Sequence, residues 1–381
     1  MRTISSGAGV WVVIRRSSAA PIAGRNCRPA CLSLARPTPA GGLQQAWVDS
    51  SGAAGSGCNM PASYQLGPRD RKLGIMFATL LGVLPRPPLP DDASSEAIVE
   101  AVVLAQEEAG LDPITDGGFW GDADPIRAWR ATSNMTDRLV KQVLTGPYTA
   151  GREGEANDST ANDRSEATLA RATLLNATIG DLADAGCPLI EIHEPAAIGI
   201  GTDPAERALF SEAHLRLLHG VDGTHISLAL TGGSAHAAGI ETILSAPYAS
   251  LAVDLIAGPD NWRLVTVTPA QVGIVCGALS AAAGSFDGPE TLLWAAGYAA
   301  STQGRGPQRV GLATASSLAH LPWAAAVRKL GWLGEAARLA DLSPDERVQG
   351  MDPRAVSIRS AALGRVDPPR TRAPDPDRDL T

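Results

Sequence analysis

The chain has 381 residues, of which 44% are hydrophobic and 19% are charged, and its formal net charge is −8. This length can bury one large core, such as a single α/β barrel with tails, or two domains. No stretch approaches the roughly 20 apolar residues that a membrane helix needs, so we expect no membrane partner. Only Cys187 and Cys276 lie in the patterned body. That argues against a disulfide framework and favours a cytoplasmic protein.

The first 70 residues differ from the rest of the chain in charge and pattern. Residues 1–69 carry seven arginines against the single Asp49, a net charge of +6. They lack sustained periodicity, which is typical of a disordered arm or a transit peptide. We therefore predict a disordered or mis-assigned extension over residues 1–70, with Met60 or Met76 as alternative starts, and a flexible tail over residues 346–381.

From about residue 74, short β-leaning runs alternate with helical segments. Helix starts are indicated by Asp203 before Pro204 and by Gly288 before Pro289. Eight strands alternating with helices predict a (β/α)₈ TIM barrel over residues 71–345, although periodicity alone also allows an open doubly wound sheet. The predicted strands are residues 76–84, 111–116, 143–149, 188–194, 224–230, 250–256, 272–279 and 309–316.

In such a barrel the chemistry is carried by residues at the carboxyl ends of the strands. No basic stripe suits nucleic acid and no glycine-rich loop suits a nucleotide, so we expect a small-molecule substrate. The pattern does not indicate an oligomeric state. The candidate functional residues are Arg86, Asp116, Tyr148, His193, Glu194, His225, Asp254 and Ser316.

Several of these strand ends carry motifs of one family. QEEAGLDPITDGG (106–118) and AGCPLIEIHEPA (185–196) are the most specific, and LLGVLPRP (80–87) and TGPYT (145–149) support them. Together they resemble the catalytic domain of cobalamin-independent methionine synthase, within the uroporphyrinogen decarboxylase-like barrels. The resemblance spans roughly residues 76–340. It implies a barrel that moves a methyl group from a methyltetrahydrofolate to homocysteine, with zinc activating the acceptor thiol.

The resemblance also implies where zinc ligands should lie, and most of them are replaced here. The family's His-x-Cys pair falls at His225 and Ser227, its Glu at Asp254, and its later Cys at Ser316. A serine hydroxyl stays protonated near neutral pH and is a far poorer zinc ligand than a thiolate. We therefore expect weak zinc binding or none at His225 and Asp254.

The groups that the resemblance assigns to the acceptor's amino-acid head group are replaced as well. Two family carboxylates fall at Gly118 and His193, and a family serine falls at Val83. Homocysteine is therefore not the expected acceptor. Substrate contacts are expected instead from the guanidinium of Arg86, from Asp116 and from the aromatic side chains. Of these, Tyr148 lies in a retained motif, and Trp120 could stack a pterin or simply cover the barrel mouth.

Three chemical readings of these replacements remain open. The first is a metal site rebuilt from His193, Glu194, His225, Asp254 and His320. The second is a serine nucleophile at Ser227 or Ser316, with His225 as its base and Asp254 orienting that base. The third is metal-free transfer or acid–base chemistry by His193 and Glu194. The remaining histidines, which include His214, are expected to be solvated or near helix ends.

We therefore predict a methionine synthase-like methyl or alkyl transferase with a divergent acceptor and a possible folate donor. The alternative is a barrel that has lost catalysis and serves as a binding or regulatory protein.

Overall fold

The computed structural model describes residues 33–37, 43–47, 76–121, 123–153, 161–285, 288–342 and 346. Near the amino terminus, β1 (Ser33–Pro37) pairs with β2 (Leu43–Trp47) as an antiparallel hairpin that the sequence did not predict. It belongs to a separate unit, residues 15–72. The other residues of the predicted extension, and the predicted tail apart from residue 346, lie outside the described residues.

The body is built on a seven-stranded sheet whose neighbouring strands all run parallel. Its spatial order is β3-β9-β8-β7-β6-β5-β4, so the first strand of the body pairs with the last. Seven of the eight predicted strands are thereby confirmed. The strands are β3 (Phe77–Thr79), β4 (Lys141–Thr145), β5 (Leu189–His193), β6 (His225–Leu230), β7 (Ser250–Asp254), β8 (Gly273–Leu279) and β9 (Val310–Thr314).

The eighth predicted strand, residues 111–116, is reduced to a single bridge. Ile114 pairs with Val140, and the backbone N–H of Asp112 donates to Ala78 O over 3.0 Å. This segment therefore makes isolated backbone hydrogen bonds on the sides of both β3 and β4, without forming a continuous ladder. Pro113 explains the difference, because proline has no N–H to donate between two strands. The full eight-stranded barrel is not confirmed.

Nine α-helices are described, and most follow the predicted signals. Asp203 caps its helix by accepting from Ala205 N over 2.8 Å. Described helices include none long and apolar enough to cross a membrane. The helices are α1 (Ser95–Glu108), α2 (Pro125–Asn134), α3 (Pro147–Glu153), α4 (Ala161–Asp184), α5 (Pro204–Leu217), α6 (Ile240–Ile243), α7 (Asn261–Val267), α8 (Pro289–Ser301) and α9 (Trp323–Ala340).

Two predicted strand ends are wrong by several residues. The first strand was expected to run to residue 84, but β3 ends at Thr79. The third strand was expected to run to Thr149, but β4 ends at Thr145 and α3 begins at Pro147. Proline suits the first turn of a helix, and the N–H groups of Tyr148 and Thr149 find an acceptor in the side chain of Glu194. The tertiary partner decides this boundary, which strand periodicity could not show.

Hydrophobic side chains form two separate clusters. The larger one lies between the sheet and the helices. The smaller one consists of Leu81, Ala229, Ala252, Val275 and Ala313, with Phe77 packed against it. Ala229, Ala252 and Val275 are register partners on adjacent strands, so they share one face of the sheet. We call this the inner face, and the carboxyl end of the strands the mouth.

Candidate functional site

His193 lies at the carboxyl end of β5 and on the inner face. It pairs in register with Ala229 of the inner cluster, and Glu191, two residues earlier, shares its face. The ring Nε2 of His193 lies 2.7 Å from Glu191 Oε1. The His193 side chain is 14% exposed, whereas that of Glu191 is 2% exposed. The His193 ring therefore lies at the mouth, and its Nε2 is hydrogen-bonded to the more deeply buried Glu191.

Glu191 is held in turn by a buried lysine. Nζ of Lys141 lies 2.8 Å from each carboxylate oxygen of Glu191 and donates to Leu80 O, also over 2.8 Å. Neither side chain of the pair is more than 2% exposed. A buried charge is tolerated only when it is paired and hydrogen-bonded, and this pair satisfies both conditions. We call Lys141, Glu191 and His193 the inner chain.

The electrostatics keep Glu191 ionised. Burial alone would raise the pKa of Glu191, but the positive charges of Lys141 and His193 outweigh burial and lower it to about 2. Burial lowers the pKa of Lys141, and the Glu191 carboxylate opposes that shift. Near neutral pH, Glu191 is therefore an unprotonated carboxylate that accepts hydrogen bonds from Lys141 and His193.

The space below His193 is small. A cavity of about 10 Å³ is lined mainly by inner-face residues, among them Lys141, Glu191, Ser227 and Ser250. That volume holds about one water molecule. The hydroxyl of Ser227 is buried there and has no hydrogen-bond partner among the described residues, so a water in the cavity would satisfy it.

Glu194, adjacent to His193 in sequence, faces the opposite way. It is fully buried, and Oε2 accepts from Thr149 N over 2.7 Å while Oε1 accepts from Tyr148 N over 2.9 Å. A Cβ at Gly146 would lie 2.2 Å from Glu194 Oε1, so only glycine fits there. The TGPYT and HEPA motifs therefore interlock: the carboxylate of one caps the first turn of the helix in the other. We call this contact the outer interlock.

The carboxylate of Glu194 also contacts His214, a histidine that the sequence analysis did not single out. His214 was expected to be solvated or near a helix end. It lies in the last turn of α5, yet it is fully buried. Its Nε2 is 3.2 Å from Glu194 Oε1, and its Nδ1 contacts the hydroxyl of Tyr248. His214 therefore completes the surroundings of Glu194 within the helix layer.

Tyr148 also points into the helix layer. Its ring packs edge-on against Phe210 of α5, with centroids 5.5 Å apart, and its hydroxyl contacts Glu206. Burial and the neighbouring Glu206 raise the pKa of Tyr148 well above its ordinary value. Glu206 also pairs with Arg164 and, over 3.2 Å, with Arg152. The ring and hydroxyl of Tyr148 thus contact residues of helices α3 and α5.

His225 and Ser227 lie far from the mouth. His225 is the first residue of β6, so its expected place at the end of that strand is wrong. Its Nε2 lies 2.9 Å from Ser250 Oγ, and burial lowers the pKa of His225 to about 4. Ser227 pairs in register with Ser250, the first residue of β7, whereas Asp254 ends that strand. His225 and Asp254 are therefore about 20 Å apart along the sheet, at about 3.3 Å per residue.

Asp254 is fully engaged by backbone. Its Oδ1 accepts from Ile256 N and Ala257 N, and its Oδ2 accepts from Gly232 N, over 2.8 to 3.1 Å. Ser316 follows the end of β9. These side chains do not fit the zinc of the family, because the single imidazole is distant and the carboxylate is occupied. Nowhere in the described part of the chain do three His, Cys, Asp or Glu side chains form a group able to hold a metal.

Three remaining candidates are engaged locally at the mouth. Asp116 accepts from Gly118 N and Trp120 N, each over 3.1 Å. The indole N–H of Trp120 donates to Thr132 Oγ1 over 3.0 Å, and its ring packs against the larger core. The exposed Arg86 donates to the carbonyls of Pro90 and Asp91 in its own loop.

Val83 and Gly118 occupy each other's space. A Cβ at Gly118 would lie 2.8 Å from Val83 Cγ1, and the backbone of Gly118 has a φ of +86°. The two positions at which the resemblance places a serine and a carboxylate thus hold an apolar side chain packed against a glycine.

The comparisons with known proteins agree with the motifs. The family model described as "Cobalamin-independent synthase, Catalytic domain" matches residues 97–216, from α1 to α5. This match includes the segments around Asp116, Tyr148 and Glu194. Over these residues the chain is similar to the cobalamin-independent methionine synthase family, as the motifs predict. The comparison with curated proteins finds no match.

One solved structure supports the barrel-like fold. A B12-independent methionine synthase from Shewanella sp. W3-18-1, in complex with selenomethionine, is 13% identical with a TM-score of 0.59. The match covers 72% of this chain and 99% of that one. A methyltransferase from Methanosarcina mazei is 14% identical with a TM-score of 0.42, covering 56% and 63% of the two chains. At 13% identity, the first match supports a shared fold but not a shared activity.

Sequence reasoning did not find Lys141 and Glu191. Glu191 interrupts the apolar run of LIEIH, where a charged residue is a signal in itself, whereas Lys141 opens the mixed strand KQVLT and gives no such signal. Glu191 also has the i, i+2 spacing that places it on the same face as His193. The pairing with Lys141 depends on the position of β4 beside β5, which a single sequence does not give.

Proposed function

We propose that the protein is a methionine synthase-like transferase of a methyl or alkyl group, whose acceptor is activated by His193 acting as a base. The observation that carries this proposal is the inner chain. A ring at the mouth, bonded over 2.7 Å to a buried carboxylate, is the arrangement that stabilises an imidazolium as it forms. His193 takes the proton of the acceptor, and the acceptor then attacks the alkyl carbon as the bond between that carbon and the donor breaks. With a folate donor the leaving group is the N5 nitrogen, which takes up a proton, either from the His193 imidazolium or from solvent.

The surroundings of His193 favour an acceptor without a charged head group. The described contacts engage the carboxylates of Asp116, Glu194 and Asp254 with backbone N–H groups. The loops after β5 and β7 expose Ile198 and Ile256. Among the described residues these carboxylates are engaged by backbone, and Glu191 is engaged by Lys141, so an ammonium group would have to displace an existing partner, whereas a neutral thiol would not. A folate donor and a cytoplasmic location remain predictions.

The proposal is tested in two steps with the full chain. First, titration with 5-methyltetrahydrofolate, followed by tryptophan fluorescence, should show saturable binding. Second, mass spectrometry should detect methyl transfer to 1-butanethiol and much less transfer to homocysteine, with the activity lost in His193→Gln. Transfer that survives in His193→Gln would refute the assigned base.

The alternative is a barrel that binds a partner without catalysis. The small inner cavity favours it, because about 10 Å³ admits no substrate below the ring. The folate titration separates the two, since the absence of saturable binding, together with no transfer from other methyl donors, would support the binding protein.

A further inference from the structure

We infer that Glu191 and Lys141 are positioning residues that fix the ring of His193 through Nε2, so that Nδ1 is the nitrogen that reacts. This inference rests on the proposed function for its purpose, but its geometry can be tested without any substrate. It deepens the role of His193 by naming the reacting atom and the residues that select it.

The first step is the direction of the ring. Nε2 faces Oε1 of Glu191. Glu191 lies two residues before His193 on the same face of β5, and so farther from the mouth. No hydrogen bond to Nδ1 is described within the ranges that the structure covers. Because the two nitrogens lie on different sides of the imidazole, anchoring Nε2 below leaves Nδ1 for the mouth. The anchored nitrogen carries the proton, and Nδ1 presents its lone pair.

The second step is the orientation of the carboxylate. Both oxygens of Glu191 lie 2.8 Å from Nζ of Lys141, which is itself tied to Leu80 O. A carboxylate held at both oxygens cannot rotate away from the ring without breaking a buried ion pair. Its lowered pKa means that it stays an acceptor when His193 becomes positively charged. Lys141 therefore acts on His193 only through Glu191.

The test uses a small neutral methylating agent, methyl 4-nitrobenzenesulfonate, on the folded full chain near pH 7. Amino-acid analysis of the peptide that contains His193 separates the two methylhistidine isomers. The wild-type protein should give the Nδ1-methyl isomer at His193 in at least tenfold excess. Glu191→Leu should give both isomers, and Glu191→Gln should restore most of the preference, because an amide oxygen can still accept from Nε2.

Control variants separate positioning from general disturbance. Glu212→Gln removes an exposed carboxylate of α5 that pairs with Arg216, and should leave the isomer ratio unchanged. Lys141→Met should reduce the Nδ1 preference. If this variant does not fold, Lys141→Met with Glu191→Leu removes both charges and should give both isomers.

Two results would overturn the inference. One is methylation of the wild-type ring mainly at Nε2, or no methylation at His193. The other is an unchanged isomer ratio in Glu191→Leu. Neither result depends on transferase activity, so a failure of the proposed function, seen as no transfer to any thiol, is distinguishable from a failure of this inference.

Discussion

His193 and Glu194 are neighbours in sequence but belong to opposite sides of the sheet. His193 faces inward, joins the inner chain and reaches the mouth. Glu194 faces outward and is saturated by the first turn of α3. Glu194, which the resemblance marks as retained, thus has a structural role, whereas His193, which it marks as a replacement, is the residue that we propose for the chemistry. If that proposal holds, a retained motif does not by itself identify the reacting group.

The largest expected effect comes from breaking the inner chain at its buried end. Lys141→Met should lower the free energy of unfolding by about 3 to 5 kcal/mol, because it leaves the Glu191 carboxylate buried without its ammonium. Adding Glu191→Leu should recover most of that loss. Urea denaturation measures both variants. If the double variant is as unstable as the single one, the loss comes from packing and not from the unpaired charge.

The outer interlock should respond almost as strongly. Glu194→Ala leaves the N–H groups of Tyr148 and Thr149 buried without an acceptor, and should cost about 3 kcal/mol of unfolding free energy. Glu212→Ala on the exposed face of α5 is the control and should cost less than about 0.5 kcal/mol. If Glu194→Ala is as stable as the control, Glu194 does not serve as the cap.

Acid should destabilise the protein through His225. Its folded pKa, about 4, lies below its ordinary value of 6.5 because burial disfavours the charged ring. The neutral ring therefore contributes its full stability above pH 6.5, and that contribution is lost as the pH falls toward 4, by up to about 3 kcal/mol. His225→Gln should flatten this part of the profile of unfolding free energy against pH. A profile equally steep in this variant would assign the effect to other groups.

The smallest effect on stability should come from the residue that we expect to matter most for chemistry. His193→Gln should change the free energy of unfolding by about 1 kcal/mol or less, because the ring is at the mouth and glutamine can still bond to Glu191. The same variant should lose methyl transfer to 1-butanethiol. If His193→Gln lowers the free energy of unfolding by several kcal/mol, His193 has a structural role, as Glu194 has.

The sequence predicts the parts of this fold that depend on local pattern. The parallel strands β5, β7 and β8 and the start of α5 at Asp203 and Pro204 follow from periodicity and capping. The second strand was mispredicted because the missing N–H of Pro113 outweighs an apolar run. The start of α3 depends on a side chain 46 positions away.

The candidate site is less accessible to sequence reasoning. His193 could be found because it stands at the end of an apolar strand within a family motif. The buried pair of Lys141 and Glu191 requires knowing that β4 and β5 are adjacent and in which register. His225 was misplaced because the family motif was given more weight than the predicted strand 224–230, which itself puts His225 near the start of β6.

The contact between Val83 and Gly118 limits which side chains positions 83 and 118 can accept together. A glutamate introduced at 118 alone would collide with the valine and would require a left-handed backbone that favours glycine. A larger side chain at 118 therefore needs both a smaller residue at 83 and a rebuilt turn, so substitutions at these two positions should not have additive effects on stability.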